Sequence, residues 1–335
     1  MILSAGCTAL MIRLLSPVAQ KIDLVDRPHG RKTHADVIPL IGGIAMIFGV
    51  IFGSLFLPVS LSDLRVLFAG IAVLGVVGVL DDHQDIEARW KFIAQIIVAL
   101  LMTYYGSTVA THIGSIVGSK NQGLGVLAIP FSVVAIVGTI NAINMIDGHD
   151  GVAGSLVCLT LTGLGILCFV SGEGTAMRFL GVVVAAVVIF LIFNTGVGTK
   201  YQPQVFMGDA GSMFLGLITA YFLIEFSSLD RQIVRPTTTV WLIGLPLLDM
   251  VAVMLRRLFS WRNIAGADRT HVHHILSKRG LSKYQITGVL VLAQLFFVSF
   301  GVTSNLFFAI PDWILFWSVF PILGVYMVLI KPESN

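Results

Sequence analysis

Long apolar runs separated by short polar stretches dominate the chain. They cover 2–19, 38–58, 66–80, 92–110, 126–146, 152–170, 177–194, 212–226, 237–255, 286–306 and 313–330. Crossing a hydrocarbon core takes roughly 20 apolar residues in an α-helix, which satisfies its own backbone hydrogen bonds. The pattern therefore predicts an all-α, polytopic integral membrane protein with about eleven transmembrane helices. The runs at 66–80 and 212–226 are short for a full crossing, so their helices are expected to continue through the polar residues at one end.

Composition strengthens this picture. With 56% hydrophobic residues, 12% charged residues and a mean hydropathy of +0.92, the chain has more apolar surface than a water-soluble domain of its length could hide. Residues 1–335 read as a single transmembrane domain, and the first run, which lacks a basic leader and a small-residue cleavage site, reads as a retained helix. Within it, Arg13 is expected to snorkel or to face the bundle.

Charge sets an orientation. One set of loops holds fifteen basic residues, among them Arg27, Lys32, Arg89, Lys91, Arg256, Arg269 and Lys283; the alternate set holds five, Arg65, Lys120, Arg178, Arg231 and Arg235. The richer side is expected to be cytoplasmic. That puts the amino terminus outside, the carboxyl terminus inside, and 256–285 in a long cytoplasmic loop. A net charge of +3, scattered through loops, excludes a nucleic-acid-binding surface. Cys158 and Cys168 lie about 15 Å apart along one presumed helix, beyond disulfide reach.

Polar residues that recur at the inner ends of these helices carry the chemistry. Asp81, Asp82 and Asp85 in VLDDHQDI follow directly on an apolar run. Carboxylates at a membrane boundary are costly to desolvate and call for a functional reason. In NAINMIDGHDGVAG, spacings of three put Asn141, Asn144 and Asp147 along one helical stripe, and glycines flank His149. VFMGDAGS opens the eighth run with Asp209, an oxygen ligand suited to a hard cation or, more simply, a helix cap. ADRTHVHHIL brings Arg269, His271, His273 and His274 into the long inner loop. It lacks the spacing of a zinc protease and has no accompanying cysteine. A basic cluster beside several acids is better suited to gripping a diphosphate. There is no inverted pair of broken helices of the kind that marks a cation-coupled transporter.

In this order, and together with RPHGRKTHADVIPLIGG near the start and PLLD before Arg256, these motifs resemble the polyprenyl-phosphate N-acetylhexosamine-1-phosphate transferases over about 22–280. The RTHVHH form is more similar to the branch that transfers N-acetylglucosamine 1-phosphate to undecaprenyl phosphate than to the peptidoglycan branch. The resemblance implies a catalytic cleft at the cytoplasmic face of a bacterial inner membrane. The lipid phosphate would attack the β-phosphorus of a UDP-N-acetylhexosamine and release UMP with Mg²⁺ assistance, Mn²⁺ being an admissible substitute. A homodimer is compatible with the family, as is another UDP-amino sugar.

By motif matching, Asp209 and Asn144 would hold the metal. Gly148, His149 and Asp150 would hold the nucleoside, with Phe206 stacked on uracil and Asp147 nearby. Asp81 and Asp82 would position or activate the lipid phosphate, with Lys32 as a further contact to it. Arg269, His271, His273 and His274 would hold the diphosphate and sugar. His149 departs from the family, which has an aliphatic residue between that glycine and aspartate.

Overall fold

The computed structural model describes residues 1–27, 37–58, 64–118, 121–196, 204–259, 271–308 and 310–331. Lys32, Lys120 and Arg269 lie outside the described residues. The fold is almost wholly helical. Helix α1 (Ile2–Lys21) leads through the strands β1 (Val25–Asp26) and β2 (Ile38–Pro39) to α2 (Gly42–Ser54), α3 (Arg65–Gln84) and α4 (Ala88–Tyr105). The long helices α5 (Ala128–Ile146), α6 (Val152–Val170), α7 (Gly174–Thr195) and α8 (Gly208–Ser227) follow. The last third holds α9 (Pro236–Leu242), α10 (Gly244–Phe259), α11 (Val272–Lys278), α12 (Lys283–Leu306), α13 (Asp312–Trp317) and α14 (Val319–Leu329). The two strands pair antiparallel, Val25 opposite Pro39.

Among the described residues, eight helices are long and apolar enough to cross a bilayer, or nine if α9 and α10 count as one span. The expected helix over 38–58 is the 13-residue α2, because Ile38 and Pro39 are drawn into the ribbon with β1. The run at 237–255 is two helices bent by 83°. Backbone groups freed at that break are taken up by side chains. Gln294 Oε1 accepts from Leu245 N at 3.1 Å, while Gln294 Nε2 and Thr160 Oγ1 each donate to Leu242 O at 2.8 Å. A break within an apolar segment is tolerated when buried polar partners satisfy it in this way. The run at 313–330 likewise divides at Ser318 into α13 and α14.

Helix α8 is the centre of the bundle, with 89% of its apolar window buried. Small residues let its neighbours approach closely: a Cβ on Gly78 of α3 would strike the Ala210 backbone, and one on Gly43 of α2 would strike that of Gly211. These crossings bring the end of α3 and the starts of α2 and α8 to the same end of the bundle. Arg13 lies 5.9 Å from the Phe193 ring centroid in a cation–π contact, and the three cysteines are free.

Candidate active site

The polar ends of α3 and α8 run on into the site, as their short apolar runs predict. Asp81 and Asp82 occupy the last turn of α3, which stops when Asp85 adopts a left-handed conformation, φ 50. Asp85 therefore caps the helix instead of extending the acidic face. Across the crossing, Gly208 starts α8 with φ +70, and Asp82 packs where a Cβ on that glycine would stand. Both facts require glycine.

Asp82 Oδ1 accepts the Asp209 backbone N–H at 2.9 Å, placing one carboxylate on the positive end of α8. Lys91, in the first turn of α4, joins the other two acids: its Nζ lies 2.7 Å from Asp81 Oδ2 and 3.0 Å from Asp209 Oδ2. Asn144 Nδ2 donates to Asp209 Oδ1 at 3.1 Å and to Ser212 Oγ at 2.8 Å. Asn141, one turn away, turns instead to Gln95 Oε1 at 2.6 Å, so the predicted stripe serves two environments.

Helix α5 ends at Ile146 and hands over to a loop, 147–151, that forms one wall of a cavity of about 280 Å³. Asp82, Asp147, Gly148, His149, Asp150, Phe206 and Asp209 all line it. Asn194 of α7 clamps two of its walls together, accepting from Gly151 N at 2.6 Å and donating to Val205 O at 2.9 Å. Phe206 is fixed through its backbone, donating to Pro39 O and accepting from Gly42 N, both at 2.9 Å. Asp147 is pushed up to about 8 by burial and then by Asp209, Asp82 and Asp150, so it is largely a neutral carboxylic acid in the empty protein near pH 7.

The histidines arrive from α11. Buried Asp249 organises them: its Oδ2 lies 2.7 Å from His271 Nδ1, and its Oδ1 accepts from Val272 N at 3.0 Å and from Tyr326 Oη at 2.8 Å. The His271 and His273 rings are nearly parallel with centroids 5.9 Å apart, and His274 lies 4.2 Å from His273. His273 leans over Gly148, which has no room for a side chain, and meets His149 edge to face at 5.4 Å. Burial first, then His274 and His149, push His273 down to about 3.

Thus Asp81, Asp82, Asn144 and Asp209 form one cluster, and Asp147, Gly148, His149, Asp150 and Phe206 share its cavity. The triad His271, His273 and His274 abuts loop 147–151. Sequence patterns missed Lys91 and Asn194 as site builders. Lys91 had a signal, being a lysine one turn into an apolar helix beside the DD pair; Asn194 looked like the end of a span. Asp249 is the acid of the PLLD motif. It proves to be a buried acid that holds His271.

A metal fits this cluster by its donor chemistry. Asp81 Oδ1 and Asp82 Oδ2 are buried without a protein partner, and Asp209 faces the same cavity as Asp82. Among the described residues no three His, Cys, Asp or Glu side chains form a ready-made cage. The carboxylates of Asp82 and Asp209 on one cavity are donors of the kind a cation such as Mg²⁺ takes, one or two carboxylates with water and phosphate completing its shell.

Apolar helices enclosing acids, a lysine and histidines at one end define a multi-pass membrane protein with a polar cavity at that end. Residues 64–227 match glycosyl transferase family 4. The chain is 32% identical over 92% of its length to undecaprenyl-phosphate alpha-N-acetylglucosaminyl 1-phosphate transferase of Escherichia coli O157:H7, covering 84% of that protein. It is 33% identical to the enzyme of that name from Yersinia pestis, over 89% of this chain and 81% of the relative. For the Haemophilus influenzae enzyme the values are 32%, 95% and 89%. The chain belongs to this family.

Proposed function

We propose that the protein transfers N-acetylglucosamine 1-phosphate from its UDP-linked form to undecaprenyl phosphate, releasing UMP, as the first step of a cell-envelope polysaccharide. The observation that carries this reading is the junction of three parts in one place. An acid cluster with unpartnered buried oxygens, a glycine-flanked loop facing Phe206, and a histidine triad meet at one end of a membrane-spanning bundle. An apolar groove between α2 and α3, about 340 Å³ and lined by Ile44, Ile47, Ile71, Gly75 and Val79, ends at Leu80, next to Asp81. It offers an isoprenoid tail an apolar path to the acids.

Phe206 and loop 147–151 line one cavity, a pairing that suits a nucleobase. Asp209 and Asp82 would hold Mg²⁺, with Asn144 orienting Asp209 or contributing its amide oxygen. Bound there, the metal would neutralise phosphate charge. The phosphate of the lipid is already largely dianionic near neutral pH, its second pKa being about 6. Asp81 therefore needs only to position the acceptor or take its last proton. A lipid phosphate oxygen forms the new bond to the β-phosphorus, and the bond to the UMP phosphate breaks. The histidines, polar side chains beside loop 147–151, would help to hold the diphosphate by hydrogen bonds. This is a single in-line displacement without a phosphorylated enzyme.

In the membrane we place eleven helical segments, with the amino terminus outside and the cavity at the cytoplasmic face of a bacterial inner membrane. The fifteen-to-five distribution of basic residues supports that orientation. The test is UMP release by purified protein given undecaprenyl phosphate and a panel of UDP-sugars with Mg²⁺. UDP-N-acetylglucosamine should be turned over fastest. Preference for another UDP-amino sugar would move the assignment within the family, and UMP release without lipid acceptor would overturn it.

A further inference from the structure

A UDP-linked donor would carry its diphosphate charge into a cavity that Asp82, Asp147, Asp150 and Asp209 all face. Anions so placed call for positive charge close by. Lys91 is committed to Asp81 and Asp209, and Lys283 stands 3.6 Å from Asp150. Among the described residues lining the cavity, His149 is the one side chain that can become a cation.

Its ring is held in place. It meets the His273 ring edge to face at 5.4 Å and 87°, and His273 is itself buried between His271 and His274. Around His149 the titratable groups are Asp150 on its own loop, His273 on α11 with His274 beside it, and Asp26 of β1, Asp82, Asp147 and Asp209 lining the same cavity. Lys283 of α12 reaches Asp150.

We propose that His149 positions the donor: when a nucleoside diphosphate enters, His149 takes up a proton, and its imidazolium, braced against His273, faces the diphosphate. This rests on the donor reading given above. In the empty protein burial holds His149 below the ordinary imidazole range, against the pull of Asp150, so the ring is predominantly neutral near pH 7. A diphosphate reverses that balance, and each unit by which it raises the imidazole corresponds to about tenfold tighter binding to the protonated form. Donor affinity then rises as pH falls.

The test is calorimetry of UDP binding to the full detergent-solubilised chain, in buffers of different ionisation enthalpy, which reads protons taken up per UDP. The wild type should take up more protons than His149→Gln, and its UDP affinity should rise by about tenfold more than that of the variant between pH 8 and 6. His149→Lys, a fixed cation, should bind UDP well at both pH values without the extra uptake. The titration of UDP itself and of Asp147 is common to all three proteins and drops out of the comparison, and His273, held down to about 3, stays neutral from pH 8 to 6. Equal proton uptake by wild type and His149→Gln would overturn the proposal and leave the donor reading standing. Failure of the wild type to bind UDP at all would overturn both.

Discussion

At the residue scale, the site depends on part-buried charges that hold one another. Asp209→Asn keeps the size and much of the hydrogen bonding of the side chain but removes the charge that a hard cation requires. Several kcal/mol of transition-state stabilisation should be lost, so UMP release should fall by about a hundredfold or more while the protein stays folded and inserted. Near-normal turnover across a Mg²⁺ titration would reduce Asp209 to a structural partner of Lys91 and Asn144. Lys91→Met should act differently. It strips the cation from two carboxylates whose partner it is, 2.7 and 3.0 Å away, and breaking such a pair is worth about 3–5 kcal/mol when buried, less at this partial exposure. The melting temperature in detergent should drop and recover partly with Mg²⁺, which can replace the lost charge; no recovery would place the metal away from Asp81 and Asp209. His273 gives a pH dependence. An unfolded histidine titrates near 6.5, whereas the folded ring resists protonation to about 3. Between those values the unfolded chain binds more protons, so stability should fall on acidification below about 6.5. His273→Gln should flatten the decline in melting temperature between pH 7 and 5, and identical slopes would remove His273 from that effect.

At the scale of elements, the cluster is precise because α3 and α8 cross with almost nothing between them. Gly208 is the most exacting position, since its φ of +70 and the Asp82 carboxylate both exclude a side chain. Gly208→Ala should cost about 1–3 kcal/mol through backbone strain alone. It should also push Asp82 off the first turn of α8, lowering activity more than stability, and comparing turnover with melting temperature reads the difference. A variant that loses stability but keeps full turnover would show that the Asp82 cap is structural only. The break between α9 and α10 works the other way: there Gln294 and Thr160 supply what the backbone lacks, and α10 carries Asp249 to the histidines.

At the scale of the whole molecule, the site sits at one end of the bundle, so every part of it must share one side of the membrane. Reporter fusions should place the segments around Asp82, Asp150, Asp209 and His273 in the cytoplasm, and a fusion at Lys120 outside. A periplasmic signal from any of the first four would dismantle the site as described. Apolar runs of near-bilayer length determined the helical class, because a helix in lipid must satisfy its own backbone wherever its neighbours lie. The DD, NxxN, GDAG and histidine motifs were legible for a similar reason: acids and amides at helix ends stand out against an apolar background. Helix breaks were not legible, since an apolar run reads the same whether straight or bent by 83°, and what decides is a distant Gln294 and Thr160. Nor could the sequence say that Lys91 joins Asp81 to Asp209, that Asn194 closes the cavity, or that Asp249 holds His271. Those contacts link residues from 10 to 118 positions apart. Only the packing of helices decides them, because spacing along a chain fixes which face a residue occupies but not what that face meets.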